Sequence, residues 1–362
     1  MYGTKYILER GRLAVITCCL VSACYCCSPL VAETSQIEQS QPVATGAFIQ
    51  IRKLVTKSAA WWRTELALMK RIGMDTVVVN FVARDRYYYY PTNIAGGLPG
   101  RVDSIENILD AADQHKMKVF LGLHMDADQF SSSSFDLEAN LSQGQAEINE
   151  LWARYGDHAS LVGWYMPQEI NDYMILHQPQ LRDNVVAYTR QVTNKARSLT
   201  RLPMMISPFF GQDPDAAAYA RWWDETGLPQ TGVDIVALQD GVGTHRTTID
   251  EAKAVFAALR PVMAKHRVEF WANNESFNQV HGWPIDDRRW AAEPTDIETF
   301  IAQIESTTPY VKKSITFEFS TYFSPQGTPA AERLYRSYVL HTEAIVRDDE
   351  RQTRELKQAA GT

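Results

Sequence analysis

Leu161-Val162-Gly163-Trp164-Tyr165-Met166-Pro167-Gln168-Glu169 is an apolar run that breaks into an amide and an acid at its C-terminal end. A helix-like stretch, Arg182–Ser198, follows it, and a second apolar run begins at Pro203. Strand, helix, strand in that order argues for parallel strands joined by a crossover helix. Outward from this unit the same alternation recurs. Strand candidates begin near Gly46, Thr76, Lys118, Leu161, Pro203, Asp234, Val268 and Ser314. Helical segments follow them at Ala59–Met74, Ser104–His115, Gln143–Tyr155, Arg182–Ser198, Asp215–Thr226, Thr248–Lys265, Thr295–Thr307 and Pro329–Arg347. Eight such units are the number that closes a (β/α)8 TIM barrel, here as a single domain. An open doubly wound sheet is the competing α/β reading, but no Gly-rich phosphate loop follows the first strand.

The expected barrel occupies residues 45–347, flanked by a polar tether at 33–44 and a polar tail at 348–362. All five cysteines fall between Cys18 and Cys27, so the barrel can hold no disulfide framework and no cysteine-based metal site. They sit in an N-terminal segment with the marks of an export signal. Lys5, Arg10 and Arg12 precede an apolar run from Leu13 to Cys27, too short for the roughly 20 residues of a membrane span. Small residues ending at Ala32 suit signal-peptidase cleavage, which makes residues 1–32 a signal peptide. Val21-Ser22-Ala23-Cys24 allows a lipoprotein signal instead, with Cys24 lipidated. The expected location is therefore periplasmic or extracellular, and on the lipoprotein reading alone a lipid anchor at Cys24 is the membrane contact. Removing residues 1–32 takes three basic residues and one acidic one from totals of 36 and 43, leaving a net charge of −9. No basic run is visible, which argues against nucleic acid as a partner.

In parallel barrels the loops after the strands converge on one mouth, so the last residues of each strand are the candidates for chemistry. Here those ends are polar while the strand bodies are apolar. Two of them carry glutamates: Glu169, and Glu275 in Phe270-Trp271-Ala272-Asn273-Asn274-Glu275. Cleavage of a glycosidic bond needs two such carboxyl groups, one to protonate the leaving oxygen and one to attack or to activate water. Aromatic and amide neighbours suit sugar faces and hydroxyls. The candidate binding set is Gln50, Asn80, Tyr88, Tyr90, His124, Trp164, Gln168, Gln239, Asp240, Trp271, Asn274, Trp283, Glu318 and Tyr322. His124 is expected to bond a hydroxyl beside the acid. Glu318 is read on a Thr316/Glu318/Ser320 face pointing into the barrel, as a partner for Arg52 or a sugar ligand. About half of the run Tyr87 to Tyr90 should pack inward. No His-x-His pair exists, so neither a metal nor another cofactor is expected.

Glutamates ending strands four and seven resemble the clan of retaining barrel glycosidases, in which the first is acid/base and the second nucleophile. That clan usually has Asn before the strand-four glutamate, where Gln168 stands here. Three stretches, Gly163–Glu169, Leu238–Gly243 and Trp271–Phe277, resemble more closely the bacterial proteins with domain of unknown function 4434. The likeness runs from about Gly46 to His341 and implies an exported, glycosidase-like barrel. The expected activity is a retaining glycoside hydrolase acting on an extracellular or cell-envelope polysaccharide. Two alternatives stand beside it: an inverting glycosidase pairing Glu169 with Asp240, and a non-catalytic carbohydrate-binding barrel in polysaccharide export.

Overall fold

The computed structural model describes residues 42–126, 135–211 and 214–360; the expected signal segment and most of the tether lie outside them. Eight strands close a parallel barrel: β1 (Ala44–Ile49), β2 (Thr76–Val79), β3 (Lys118–Gly122), β4 (Leu161–Met166), β5 (Met204–Ile206), β6 (Ile235–Gln239), β7 (Glu269–Glu275) and β8 (Lys313–Phe317). Ring closure is the parallel pairing of β1 with β8. The outer helices are α1 (Ala59–Arg71), α2 (Ser104–His115), α3 (Leu137–Tyr155), α4 (Pro179–Leu199), α5 (Ala216–Trp222), α6 (Ile249–His266), α7 (Ile297–Thr307) and α8 (Pro329–Ala360). Among the described residues no helix is long and apolar enough to cross a membrane.

Local chemistry sets most helix starts. Ser58, Asp103, Asp136 and Asp296 accept hydrogen bonds from backbone N–H groups of the first turns of α1, α2, α3 and α7. Thr248 and Glu251 form a reciprocal capping box on α6. Two expected boundaries move. β1 begins at Ala44, fully buried, where the tether was expected to end. The segment expected as a polar tail continues α8 to Ala360 instead, because it is rich in Glu, Lys, Arg and Gln and lacks an interior Pro or Gly.

Strand alternation divides the apolar residues between two cores. Phe48, Val78, Phe120, Tyr165, Met205, Ala237, Trp271 and Ile315 fill the barrel, while Val77, Val79, Leu121, Trp164, Met166 and Leu238 face the helices. Gly163 exists to make room inside, since a Cβ there would lie 2.2 Å from the Phe120 ring. The expectation for β8 is reversed. Ile315 and Phe317 belong to the inner core, and Thr316 turns away to bond the Asn274 carbonyl. Alternation marks two faces without saying which is inside, and eight strands enclose a space best filled by large apolar groups.

The β2 and β3 loops are tied to α3 by Glu147, which is fully buried. Its carboxylate accepts from the Tyr88 hydroxyl at 3.0 Å, the His124 N–H at 2.9 Å, His124 Nδ1 at 2.9 Å and Gln143 at 3.2 Å. Burial alone would lower the His124 pKa, but the Glu147 charge, the hydrogen bonds to Glu147 and Asn140 and the Asp126 charge together raise it. Glu147→Ala should therefore cost about 3–5 kcal/mol in denaturant unfolding, because it orphans a buried partner. The folded-state pKa of His124 lies above its unfolded value, so the pair's contribution is complete below about pH 6.5 and is lost as pH rises through the folded value. The stability gap between wild type and variant should narrow with increasing pH.

Candidate active site

The mouth is built from strand ends that each deliver a polar group. After β4, Pro167 and Gln168 are buried and Glu169 emerges half-buried. Its Oε1 accepts from Gln239 Nε2 at 3.0 Å, and the same amide nitrogen donates to the Ser207 carbonyl at 2.9 Å. Gln239 is thus a strut between β5, β6 and the acid. Desolvation pushes the Glu169 carboxyl up, and the Gln239 hydrogen bond and the Arg246 charge partly oppose it.

Glu275 ends β7 on the inward row of Trp271 and Asn273 and is almost wholly buried. Its Oε2 accepts from the Thr244 N–H at 2.8 Å. Gly243 permits that approach, because a Cβ there would sit 2.2 Å from the Phe277 carbonyl and 2.8 Å from the Glu275 Cβ. Burial, then the neighbouring Asp240 charge, pushes the Glu275 carboxyl up to about 8. Asp240 is itself raised by burial, to about 6, despite the bonds it accepts. Asp240 Oδ2 takes Asn274 Nδ2 at 2.9 Å, and Oδ1 takes the N–H groups of Val242 (3.2 Å) and Glu275 (3.3 Å). Asp240 therefore stands behind Glu275 with both oxygens occupied, and Asn274 holds it from the helix side.

Arg246, on the loop after β6, is the residue that sequence reasoning missed. Its guanidinium lies 4.6 Å from the Phe209 ring centre and 5.7 Å from that of Trp283. Its charge acts against the upward shifts of both Glu169 and Glu275. With Glu169, Asn171, Tyr173, Phe209, Trp283 and Trp290 it lines a cavity of about 980 Å³. Trp283 and Trp290 are exposed and stand on the loop of the hairpin Phe277–His281/Ala291–Pro294. The available signal was a cation within a strand-end loop, at a mouth otherwise rich in acids and amides.

Several expected binding residues are elsewhere. Trp164 is buried against the helices, with Nε1 on Thr200, because its position on β4 alternates with inward-facing Tyr165. Trp271 lies inside the barrel but at the start of β7, edge-on to Phe120, far along the strand from Glu275. Tyr88 and Tyr90 are buried with hydroxyls held by Glu147 and Glu150. His124 has both ring nitrogens occupied, by Glu147 and by Asn140 at 3.0 Å, leaving neither for a sugar hydroxyl. Gln168 is buried with its amide on the His124 carbonyl. Asn80 is buried at the end of β2. Glu318 caps the helix Phe319–Tyr322 through the N–H groups of Ser320 and Thr321, and also receives the Gln50 N–H. Among the described residues it forms no ion pair with Arg52; burial raises it to about 7. Tyr322 is buried against Phe277, within the fields of Glu275 and Glu318.

The family described as a domain of unknown function, DUF4434, matches residues 44–329. The chain belongs to this family. Among solved structures, this DUF4434 barrel is similar to a proposed alpha-L-fucosidase from Bacteroides thetaiotaomicron. That match has a TM-score of 0.70 and 25% identity, over 83% of this chain and 93% of the other. A GH99 endo-alpha-mannosidase from the same species matches with a TM-score of 0.52 and 9% identity, over 86% and 98% of the two chains. A beta-glucosidase from Thermotoga maritima matches with 0.51 and 10%, over 79% and 90%. At those last identities the likeness shows the fold alone. Among curated proteins, none matches the sequence. The barrel is glycosidase-like.

Asp240→Asn should lower the Glu275 pKa from about 8 toward the ordinary carboxylate range, since it removes the adjacent charge while keeping an acceptor for both N–H groups. Carboxyl-carbon NMR titration of the variant measures this directly; an unmoved midpoint would assign the shift to burial alone.

Proposed function

We propose that this protein is an exported, retaining glycoside hydrolase with Glu275 as nucleophile and Glu169 as acid/base. The observation that carries the reading is that Glu169 and Glu275 stand at the ends of the fourth and seventh strands of one closed barrel, each with its carboxyl pushed up by burial. Two carboxyls in unlike surroundings are what acid-assisted cleavage requires. Glu169 lines the open cavity with its carboxyl pushed toward the protonated form, which suits donation to a leaving oxygen. Glu275 is deeper and fixed by the Thr244 N–H, which suits attack on an anomeric carbon. As positive charge develops on the sugar, it favours the ionised Glu275. Arg246 supports the same ionisation. The exposed Trp283 and Trp290 offer flat apolar platforms for sugar rings. A scheme with Asp240 as the second acid is weaker, since both its oxygens are already engaged by Val242, Glu275 and Asn274. The substrate is an extracellular or envelope polysaccharide, and the similar fucosidase structure makes fucosides part of any panel.

Turnover separates an enzyme from a binding barrel. Glu275→Gln should reduce turnover by about a thousandfold or more on every cleaved glycoside. Glu169→Ala should spare aryl glycosides with good leaving groups in the first step and stall afterwards, and added azide should restore release as the glycosyl azide. Near wild-type rates in both variants would overturn the assignment.

The pH dependence follows from the same groups. A nucleophile must be ionised, so kcat/KM should rise with pH through the free-enzyme value near 8. In Asp240→Asn that rising limb should move to lower pH. A profile whose acid limb lies at an ordinary carboxylate value in the wild type would contradict this role for Glu275.

A further inference from the structure

A second cavity, of about 520 Å³, opens on the β1–β2 side of the mouth. Three arginines line it. Arg52 lies in the turn Ile51–Lys53 immediately after β1, Arg84 in the short strand Ala83–Arg84 after β2, and Arg101 follows Gly100 in the same loop. Among the described residues none of the three forms an ion pair. The one acid on the wall is Asp85.

The floor beneath the arginines is built rather than loose. Tyr88 and Tyr90 are anchored to α3 through Glu147 and Glu150. The strand Tyr87–Tyr88 pairs with Ala83–Arg84, and the Tyr88 N–H donates to the Leu98 carbonyl at 3.0 Å. Gly100 closes the fold, its N–H on the Tyr90 carbonyl at 2.9 Å, in a space where a Cβ would meet the Tyr88 carbonyl at 2.9 Å. Tyr89 is buried, and its hydroxyl feels Arg52 and Arg84 together. Burial pushes its pKa up, to about 12, and both guanidinium charges pull against that rise. Arg52 and Arg84 thus reach one cavity from different loops, beside the exposed ring of Tyr87.

The chain as a whole is acidic, with a formal net charge of −7, so three arginines on one cavity wall are a local concentration of positive charge. Barrel order places β1 and β2 across the mouth from β5 and β6, with the Glu169 cavity on the far side. That cavity also carries Arg246, which among the described residues forms no ion pair and whose buried Nε has no hydrogen-bond partner among them. Planar guanidinium forks beside aromatic rings suit an oxyanion carried on a sugar ring.

We infer that the cavity of Arg52, Arg84 and Arg101 is a subsite for an anionic sugar residue, a uronate or a sulfate ester, of a glycan lying across the mouth. The inference rests on the proposed glycosidase reading for its placement, and its test is separable. Calorimetry on the full-length Glu275→Gln chain measures binding without turnover. The probes are hexasaccharides rich in glucuronate, galacturonate or mannuronate, their carboxyl-reduced forms, and sulfated hexasaccharides with their desulfated forms. At least one anionic probe should bind about tenfold more tightly than its neutral form, and should weaken with added salt. The carboxyl-reduced and desulfated arms distinguish the two oxyanions. Adding Arg52→Gln and Arg84→Gln together should remove that preference while neutral affinity stays unchanged. Arg101→Gln, at an exposed side chain, provides a second variant if the pair unfolds. Equal affinity for charged and neutral forms, an unaffected preference in the variants, or no binding by any anionic probe overturns the inference. Hydrolysis by the wild-type chain is scored separately. Preferred binding without cleavage leaves the subsite standing and removes the enzyme reading, whereas cleavage of neutral glycans alone does the reverse.

Discussion

The register of β6 against β7 is the constraint on which the mouth depends. Leu238 pairs with Ala272 and Gln239 with Asn273, so each strand ends with its polar group at the same height. From that register Asp240 reaches the Glu275 N–H, Gln239 reaches Glu169, and the intervening loop swings Thr244 onto the Glu275 carboxylate. A slip of β7 by one residue would turn Glu275 toward the helices and bring Asn274 inward. The apolar pairs below hold the register, because Ala237 and Trp271 fill the barrel while Leu238 and Ala272 fill the outer layer.

Burial then supplies the chemistry. A carboxyl group removed from water resists ionisation, and a second negative charge beside it adds to that resistance. Glu275 meets both conditions, Glu169 mainly the first. Arg246 moderates both without pairing with either, since its guanidinium is stacked between Phe209 and Trp283. The site thus keeps two acids in tension with one cation.

The loops after β2 and β3 follow a different logic. Their tyrosines and His124 are consumed by α3, whose Glu147 and Glu150 gather donors from Tyr88, Tyr90, Thr92 and His124. What looks in the sequence like an aromatic sugar platform is largely an anchor. That anchor in turn presents Arg52, Arg84 and Arg101 on its outer side.

Much of the fold was legible in the chain itself. The period of apolar runs and amphipathic stretches located all eight strands within two residues of their starts, because burial on two faces demands β-branched and aromatic residues without interruption. Glu169 and Glu275 were legible as strand-end acids for the same reason: each stands where an apolar run gives way to amides and the strand reaches the mouth. Facing was not legible. Period two separates Trp164 from Tyr165 and Thr316 from Phe317 but does not say which side is inside, and closure of the ring decided it. Nor could spacing show that Asp240 backs onto Glu275 across two strands, that α3 occupies both nitrogens of His124, or that Arg246 reaches the acids. Those contacts join residues from 16 to 35 positions apart in the hydrogen-bonded cases, and only the packed barrel brings them within reach.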